Sequence, residues 1–362
     1  MTPNPIPVAA APLRDAVAAT FIAAGSHAQE ARLVAEGLVE ANLYGHDSHG
    51  VGLVPIYLAN VAQGLARVNQ TLAVTADHGA LVGVDGQRGF GQAIGAQAMD
   101  LALERAGRSG VCVIGVANAH HLARIGRWAE QCAAAGFASV HFVNVLSTPL
   151  VAPWGGLDAR LATNPFCVGV PHHPHPLVLD YATSMIAFGK VQVAHAAGKP
   201  LAEGLVIDAQ GRPTTDPAAM MGEVAGALLP FGQHKGFALA VMCELLGGAL
   251  SGGQVQDRRH EPSPMINNML SIVFDPDKLT TRDTFTQQVD RLARWLRGSP
   301  RDPARTGIHL PGEPERATER ERLRDGIPLP RATRDALVAA GRTVRSDAFA
   351  QLFAATDDGA SR

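Results

Sequence analysis

Val111-Cys112-Val113-Ile114-Gly115-Val116 is a short β-branched run that leads almost directly into Asn118-Ala119-His120-His121-Leu122-Ala123-Arg124. The run predicts a strand, which places the two histidines at the end of that strand. In α/β proteins the loops at this point of a rigid scaffold carry binding and catalytic residues. The stretch therefore predicts an α/β fold with a functional site around His120 and His121.

A second polar cluster, Gly45-His46-Asp47-Ser48-His49-Gly50, follows a predicted helix. It places two imidazoles, a carboxylate and a hydroxyl between two glycines, where side chains can project into a cleft. Such a cluster suits proton handling more than packing, because imidazole titrates near neutral pH. We expect the two stretches to meet in space.

The composition of the 362-residue chain, 46% hydrophobic and 18% charged, is typical of a globular protein with a large core. A formal net charge of −2 and the lack of a basic stripe argue against nucleic-acid binding. The N-terminus does not resemble a signal peptide, and no apolar run is long enough to cross a membrane. Four widely spaced cysteines are typical of buried thiols in a reducing compartment, so we expect a cytoplasmic protein.

Hydrophobic periodicity predicts alternating helices and strands. Predicted helices cover residues 12–24, 55–61, 92–106, 125–135, 237–250, 281–297, 315–324 and 333–340. Predicted strands cover residues 72–74, 81–84, 111–116, 138–145, 166–170, 177–179 and 269–274. Another helix leads to Gly45, and its sequence predicts a capping box of Ser26 and Gln29.

The glycines of Gly89-Phe90-Gly91-x-x-x-Gly95 follow a predicted strand and nearly match the dinucleotide-binding fingerprint. That fingerprint is G-x-G-x-x-G, and here the last glycine comes one residue late. Glycines are also common wherever a turn opens a helix. The spacing therefore argues against a Rossmann fold.

Three further features each allow two interpretations. His172, His173 and His175 could bind a metal, although the three prolines around them and the lack of a clearly placed Cys, Asp or Glu favour a solvated loop. Asp180 either faces a cleft or serves as a turn or cap residue. Lys235 either binds a phosphate with His234 at a helix N-terminus or only solvates that end of the helix.

Taken together, the motifs resemble those of the malate/L-lactate/ureidoglycolate dehydrogenase family, over nearly the whole chain. The matching motifs, in the same order as in the family, are Asp47-Ser48-His49-Gly50 with Tyr57, Asn118 to His121, Ala162-Thr163-Asn164-Pro165, Asp180-Tyr181-Ala182-Thr183-Ser184, His234-Lys235-Gly236 and Pro311-Gly312-Glu313. Six motifs in a shared order are a far stronger signal than any one of them.

The resemblance implies interconversion of 2-hydroxy and 2-oxo acids with NAD(P)H, usually in a homodimer. It implies a mixed α/β, non-Rossmann NAD(P)-binding fold with a largely antiparallel mixed sheet and a flanking helical domain. Residues 1–80 would form the helical region and pack with residues 255–362, and residues 81–254 would bind the cofactor. Reduction of cyclic imino acids, which the family also includes, is the alternative activity.

The resemblance also implies roles for individual residues, and no metal site is predicted. His121 matches the proton-transfer histidine, Ser48 and His49 line the site, and His49 is placed beside the cofactor. The other implied cofactor contacts are Ala123, Arg124, Ile125, Val178, Leu179, Asp180, Tyr181, Ala182, His234, Asn267, Gly312, Glu313, Pro314 and Glu315.

The chain departs from the family pattern at two kinds of position. Many members carry an arginine, suited to clamp the substrate carboxylate, where this chain has Leu53. The clamp must then come from elsewhere, with Arg124 or His120 as the choices, and Leu53 favours bulkier substrates such as aryl pyruvates. Ala123 and Ala162 replace glycines, which should cost little unless the backbone needs a positive φ.

Overall fold

The computed structural model describes residues 6–222, 225–258, 263–304 and 307–360, without the side chains of residues 196 and 357–360. Its strands are β1 (Ile6–Val8), β2 (Ala73–His78), β3 (Leu81–Asp85), β4 (Val111–His120), β5 (Ala138–Leu146), β6 (Phe166–Val170), β7 (Leu177–Tyr181), β8 (Val206–Ile207), β9 (Pro213–Thr214), β10 (Ala227–Leu228), β11 (Ile266–Phe274) and β12 (Ile327–Leu329). Its helices are α1 (Ala10–Ala23), α2 (Ala28–Leu43), α3 (Val54–Ala62), α4 (Gly91–Ser109), α5 (Gly126–Ala134), α6 (Phe188–Ala196), α7 (His234–Met242), α8 (Arg282–Arg297), α9 (Glu313–Asp325), α10 (Arg331–Thr343) and α11 (Ala348–Ala360).

A seven-stranded mixed sheet lies at the centre of the fold, in the order β2-β3-β4-β11-β5-β6-β7. Strands β3 and β4 are parallel, and the other neighbouring pairs of these seven strands are antiparallel. The central strands β4 and β11 are buried along most of their length. The predicted mixed α/β fold with a largely antiparallel sheet is confirmed.

Helices from the two ends of the chain share one hydrophobic core. Phe21 and Tyr57 from the N-terminal helices pack in the same cluster as Leu337 and Phe349 from α10 and α11. The predicted domain division remains a prediction. Its boundaries separate β2 and β11 from the rest of the central sheet, although both strands pair within it.

The predicted capping box of Ser26 and Gln29 is wrong. Helix α2 begins at Ala28 and has His27 at its N-cap, with no side chain capping it. The Ser26 hydroxyl instead donates to the Glu30 carboxylate at 2.6 Å. The capping box fails because the helix starts two residues after Ser26, which leaves His27 and not Ser26 at the N-cap position.

The sequence did not predict β1, β12, α6 or α11, nor the three-stranded sheet of β10, β8 and β9. These elements are short or weakly periodic, and the structure stabilises them through contacts with distant segments. All four cysteines are free and buried, as expected. None of the described helices combines the length and apolarity that a membrane crossing needs.

Candidate active site

The two polar stretches meet, as predicted. Strand β4 ends at His120, so His121 is the first residue beyond it, and a 3₁₀ turn at Asp47–His49 carries the other histidine. The rings of His49 and His121 stack with their centroids 5.4 Å apart and an interplanar angle of 27°. The structure therefore places two imidazoles face to face at the end of the central sheet.

His121 is buried, and a tyrosine holds one of its ring nitrogens. The Tyr57 hydroxyl lies 2.7 Å from His121 Nδ1, and the Gln92 side-chain amide donates to that hydroxyl at 3.2 Å. Since a hydroxyl has two lone pairs and one proton, Tyr57 can still accept from Nδ1–H or donate to a bare Nδ1. Nδ1 is thereby committed, which leaves Nε2 as the nitrogen available to a substrate.

The pKa of His121 lies well below the ordinary value for histidine. Burial is the largest cause, and the neighbouring imidazoles of His49 and His120 add to it. Burial, and then His46, lowers the pKa of His49 to about 4, while the Asp180 carboxylate opposes that change. Both stacked rings are therefore neutral at pH 7.

The choice of His120 as a carboxylate clamp is not supported, because its ring is fully buried and neutral. The Asn60 amide contacts Nε2 at 3.0 Å, and the ring packs edge-on against Tyr57 at 4.8 Å. Burial lowers the pKa of His120 to about 4. A neutral ring without solvent access cannot pair with a substrate anion.

Side chains of strand β11 support the backbone around the histidines through hydrogen bonds. Asn267 and Asn268 are buried, and their side-chain oxygens accept from the backbone N–H groups of Leu122 and Asn118 at 2.7 and 2.8 Å. Asn118 and Ala123 both have positive φ, at 53° and 60°. The role of Asn267 seen here is to support the loop, and its contact with a cofactor stays a prediction.

The glycines that nearly match the dinucleotide fingerprint serve close packing. A Cβ on Gly91 would overlap the carbonyl oxygen of His121, and a Cβ on Gly95 would overlap the Trp128 ring. The start of α4 thus lies directly against the backbone of the proton-transfer candidate. Gln92, in the same turn, supplies the hydrogen bond to Tyr57 and was not identified from sequence.

Within the first polar stretch, the acidic and hydroxyl side chains have different surroundings. Asp47 is anchored, because Arg322 from α9 binds its carboxylate at 2.6 and 3.0 Å and Asn42 donates to it at 2.6 Å. Ser48 is exposed, and its hydroxyl lies 2.9 Å from His49 Nδ1. Ser48 is therefore free to reorient toward a ligand, whereas Asp47 fixes the turn.

Arg124 is also poorly placed to bind the substrate carboxylate, the role that the sequence suggested for it. Its guanidinium is buried and pairs with Glu40 at 2.6 Å and with Glu130 by a shorter contact. It also lies 4.3 Å from the centre of the Tyr44 ring. These two carboxylates neutralise the guanidinium charge, although the buried Nε–H has no hydrogen-bond partner among the described residues.

Asp180 lies within strand β7 rather than in a turn or at the N-cap of a helix, and its side chain contacts the first turn of α5. Its carboxylate accepts from the Gly126 N–H at 2.7 Å, at the start of α5. Burial raises its pKa, although the charge of Arg124 opposes the rise. The adjoining Ile125 is buried in the core of the sheet domain.

The other predicted cofactor segments lie next to one another. The Val178 N–H donates to the Pro311 carbonyl at 3.2 Å, which sets Gly312 beside β7. Glu315 lies 3.9 Å from His46, so the start of α9 reaches the first polar stretch. The segment of Tyr181 also contacts the loop before α7, through a Phe231 ring 5.2 Å away.

His234 begins α7, three residues before the predicted start of this helix at Phe237, and both His234 and Lys235 are exposed. Their position at a helix N-terminus leaves the phosphate interpretation open.

His172 is engaged at both ring nitrogens. Nδ1 lies 3.0 Å from the His175 carbonyl oxygen, and Nε2 lies 2.9 Å from an Asp290 carboxylate oxygen. Over the ranges that the structure describes, no group of three or more His, Cys, Asp or Glu side chains could hold a metal ion.

Comparison with known proteins identifies the group to which these features belong. The family model for malate/L-lactate dehydrogenase matches residues 8–338. Hydroxycarboxylate dehydrogenase B of Escherichia coli (strain K12) is 46% identical over 336 residues, 92% of this chain and 92% of that protein.

Two solved structures have the same fold. Sulfolactate dehydrogenase from Methanocaldococcus jannaschii superposes with a TM-score of 0.86 at 27% identity, covering 95% of this chain and 98% of that one. Delta1-piperideine-2-carboxylate reductase from Pseudomonas syringae superposes with a TM-score of 0.81 at 31% identity, covering 92% and 99%.

Proposed function

The chain belongs to the malate/L-lactate dehydrogenase family, and on that premise we propose that it interconverts 2-hydroxycarboxylates and 2-oxocarboxylates with NAD(P)H. The observation that carries this proposal is the neutral, buried His121, stacked on His49 and committed at Nδ1 to Tyr57. Such a group can give or take one proton at Nε2 next to a reacting carbon.

When bound, a nicotinamide cofactor would supply the hydride for C2 of the 2-oxo acid, or take it up from the 2-hydroxy acid. In reduction, His121 Nε2 donates a proton to the oxygen on C2, and Tyr57 accepts from Nδ1–H of the imidazolium. In oxidation, the neutral ring removes that proton through Nε2. His49 and Ser48 hold the substrate and the nicotinamide on the open side of His121.

The residues fit such a cofactor. Glu315 Oε2 is a buried acceptor without a hydrogen-bond partner among the described residues, and a sugar hydroxyl would satisfy it. His234 and Lys235 are exposed at the start of α7, where backbone N–H groups favour a phosphate. We place the remaining cofactor contacts on Ala123 to Ile125, Val178 to Ala182 and Gly312 to Glu315, and we propose a homodimer.

The proposed substrates are 2-oxo acids with a large apolar group, such as aryl pyruvates. Leu53 packs half-buried against the helical core at the position where many relatives have arginine. An apolar side chain there leaves room for an apolar substrate group, because no charge must be kept solvated.

A panel of 2-oxo acids assayed with NADH and with NADPH tests the function and the cofactor preference together. We expect His121→Ala to lower kcat about 100-fold or more while cofactor binding, followed by nucleotide fluorescence, is retained. A variant with nearly normal kcat would overturn the role of His121.

Reduction of cyclic imino acids is the second candidate, favoured by the similarity to the Pseudomonas syringae reductase. Parallel turnover of phenylpyruvate and a cyclic imine with NADPH separates the two. Faster turnover of the imine would replace the first proposal by the second.

A further inference from the structure

The proposed reaction requires a cation for the substrate carboxylate, and none of the positions considered so far provides one. Leu53 is apolar, His120 is a buried neutral ring, and Arg124 is held by Glu40 and Glu130. A carboxylate bound without a cationic partner loses its strongest form of hydrogen bond. Apart from Lys235, which we assign to a cofactor phosphate, the cation must come from an element that the sequence did not place at the site.

Helix α6 is such an element, and its first turn contacts the 3₁₀ turn that carries Ser48 and His49. A Cβ built on Gly189 would lie 2.8 Å from the Ser48 Cβ, so only a glycine allows this approach. The next residue along the helix is Lys190, whose backbone N–H donates to the Ala187 carbonyl at 3.0 Å. The chain thus brings a lysine within one residue of a direct contact with Ser48.

Lys190 is exposed and forms no ion pair with any residue that the structure describes. Two other cations close to the site are already neutralised: Arg322 binds Asp47, and Arg127 binds Glu40. Burial is the largest cause of the lowered pKa of His46, the charge of Arg124 is the next, and the charge of Lys190 also contributes. Its positive charge therefore acts on the first polar stretch without a counter-ion from the described chain.

We propose that Lys190 binds the carboxylate of the 2-oxo acid beside Ser48 and His49 and so determines specificity for acids over uncharged carbonyl compounds. This inference rests on the proposed function. A flexible lysine pairs as a point charge, which tolerates substrates of different size better than a rigid bidentate arginine does. The replacement of arginine by Leu53 and the use of Lys190 would together suit bulky 2-oxo acids.

The test compares Lys190→Met with Lys199→Met, a matched loss of charge on an exposed lysine just beyond α6. Substrates are phenylpyruvate, pyruvate and their methyl esters, with NADH and NADPH. We expect Lys190→Met to raise KM for the acids about 10- to 100-fold, the scale of one hydrogen bond to a charged group. KM for the esters and the Kd for the cofactor should change less than twofold, Lys190→Arg should recover part of the loss, and Lys199→Met should match the parent.

An unchanged KM for the acids in Lys190→Met, with the parent active, would overturn the role assigned to Lys190. The proposed function would still stand. A weaker Kd for the cofactor with normal KM for the acids would instead place Lys190 at a cofactor phosphate. Lys235→Met serves as the rival variant, and a larger effect of that change on KM for the acids would also overturn the inference. A parent that reduces none of the acids would reject the proposed function itself, and Lys190 with it.

Discussion

The Tyr57 hydroxyl lies 2.7 Å from Nδ1 of His121 although the two residues are 64 positions apart in the chain. This contact joins helix α3 of the helical core to the end of strand β4. Because one ring nitrogen is occupied by a group that can both donate and accept, His121 can change its protonation state without leaving a buried Nδ1 unsatisfied.

Replacing Tyr57 by phenylalanine should lower kcat about tenfold, the equivalent of one ordinary hydrogen bond in the transition state. The phenyl ring preserves the packing against Phe21 and Phe90, whose centroids lie 6.3 and 5.8 Å from that of Tyr57. Steady-state kinetics measure the effect, and thermal unfolding verifies that the variant is folded. An unchanged kcat would show that Tyr57 has only a packing role.

The pH dependence should differ between the two directions of the reaction. Because burial and the adjacent imidazoles lower the pKa of His121, the free ring is neutral at pH 7. Reduction needs the protonated ring, so its kcat/KM should rise as the pH falls from 8 and should keep rising below about 6.5, the ordinary histidine value. Oxidation needs the neutral ring, so its kcat/KM should stay level over the same range.

Initial rates at saturating cofactor in a buffer of constant ionic strength measure both profiles. A reduction profile that levels off above pH 6.5 would contradict a lowered pKa for the proton donor.

Ala123 and Ala162 form a matched pair for testing backbone strain. Ala123 has a φ of +60°, whereas Ala162 is absent from the positive-φ residues, and both are buried. A positive φ destabilises a residue with a Cβ by about 1–2 kcal/mol. At Ala123, a change to glycine relieves this strain, and the relief offsets the destabilisation from the greater flexibility of glycine and from the lost methyl contacts. We expect Ala123→Gly to be nearly neutral and Ala162→Gly to lower the free energy of unfolding by about 1–2 kcal/mol.

Urea unfolding of the two variants beside the parent protein provides the measurement. Equal losses of stability in both would mean that the conformation of Ala123 carries no such cost.

Gly91 and Gly107 test whether helix α4 supports His121. A methyl group on Gly91 would displace the His121 carbonyl, whereas one on Gly107, in the same helix, meets only the Phe137 ring at 3.9 Å. Gly91→Ala should lower kcat about tenfold or more, because small displacements of a catalytic group have large effects on rate. Gly107→Ala should raise the free energy of unfolding by up to about 1 kcal/mol and leave kcat unchanged.

Comparison of kcat and melting temperature in these two variants separates positioning from stability. A normal kcat in Gly91→Ala would show that the loop tolerates displacement.

Local patterns were sufficient for the main elements of the sheet. The β-branched run at Val111 predicted a strand, and it forms β4. Capping was harder to predict, since α2 begins at Ala28, beyond Ser26, and the Ser26 hydroxyl donates to the Glu30 carboxylate. Helix α6 was missed because it is short and lacks a strongly apolar face, so its sequence carries little periodic signal.

The sequence by itself determined the mixed α/β fold and the family, because strand periodicity and ordered motifs are local signals, while the expected meeting of His49 with His121 was established by the structure. Only the tertiary structure decided which charges remain available. In the sequence Arg124 resembles a free cation, but in the structure it pairs with Glu40, 84 residues away. The structure also packs Gly189 against Ser48, which brings Lys190 close to the site. Pairing between distant residues leaves no periodic trace in a sequence, since it depends on how separate elements pack against one another.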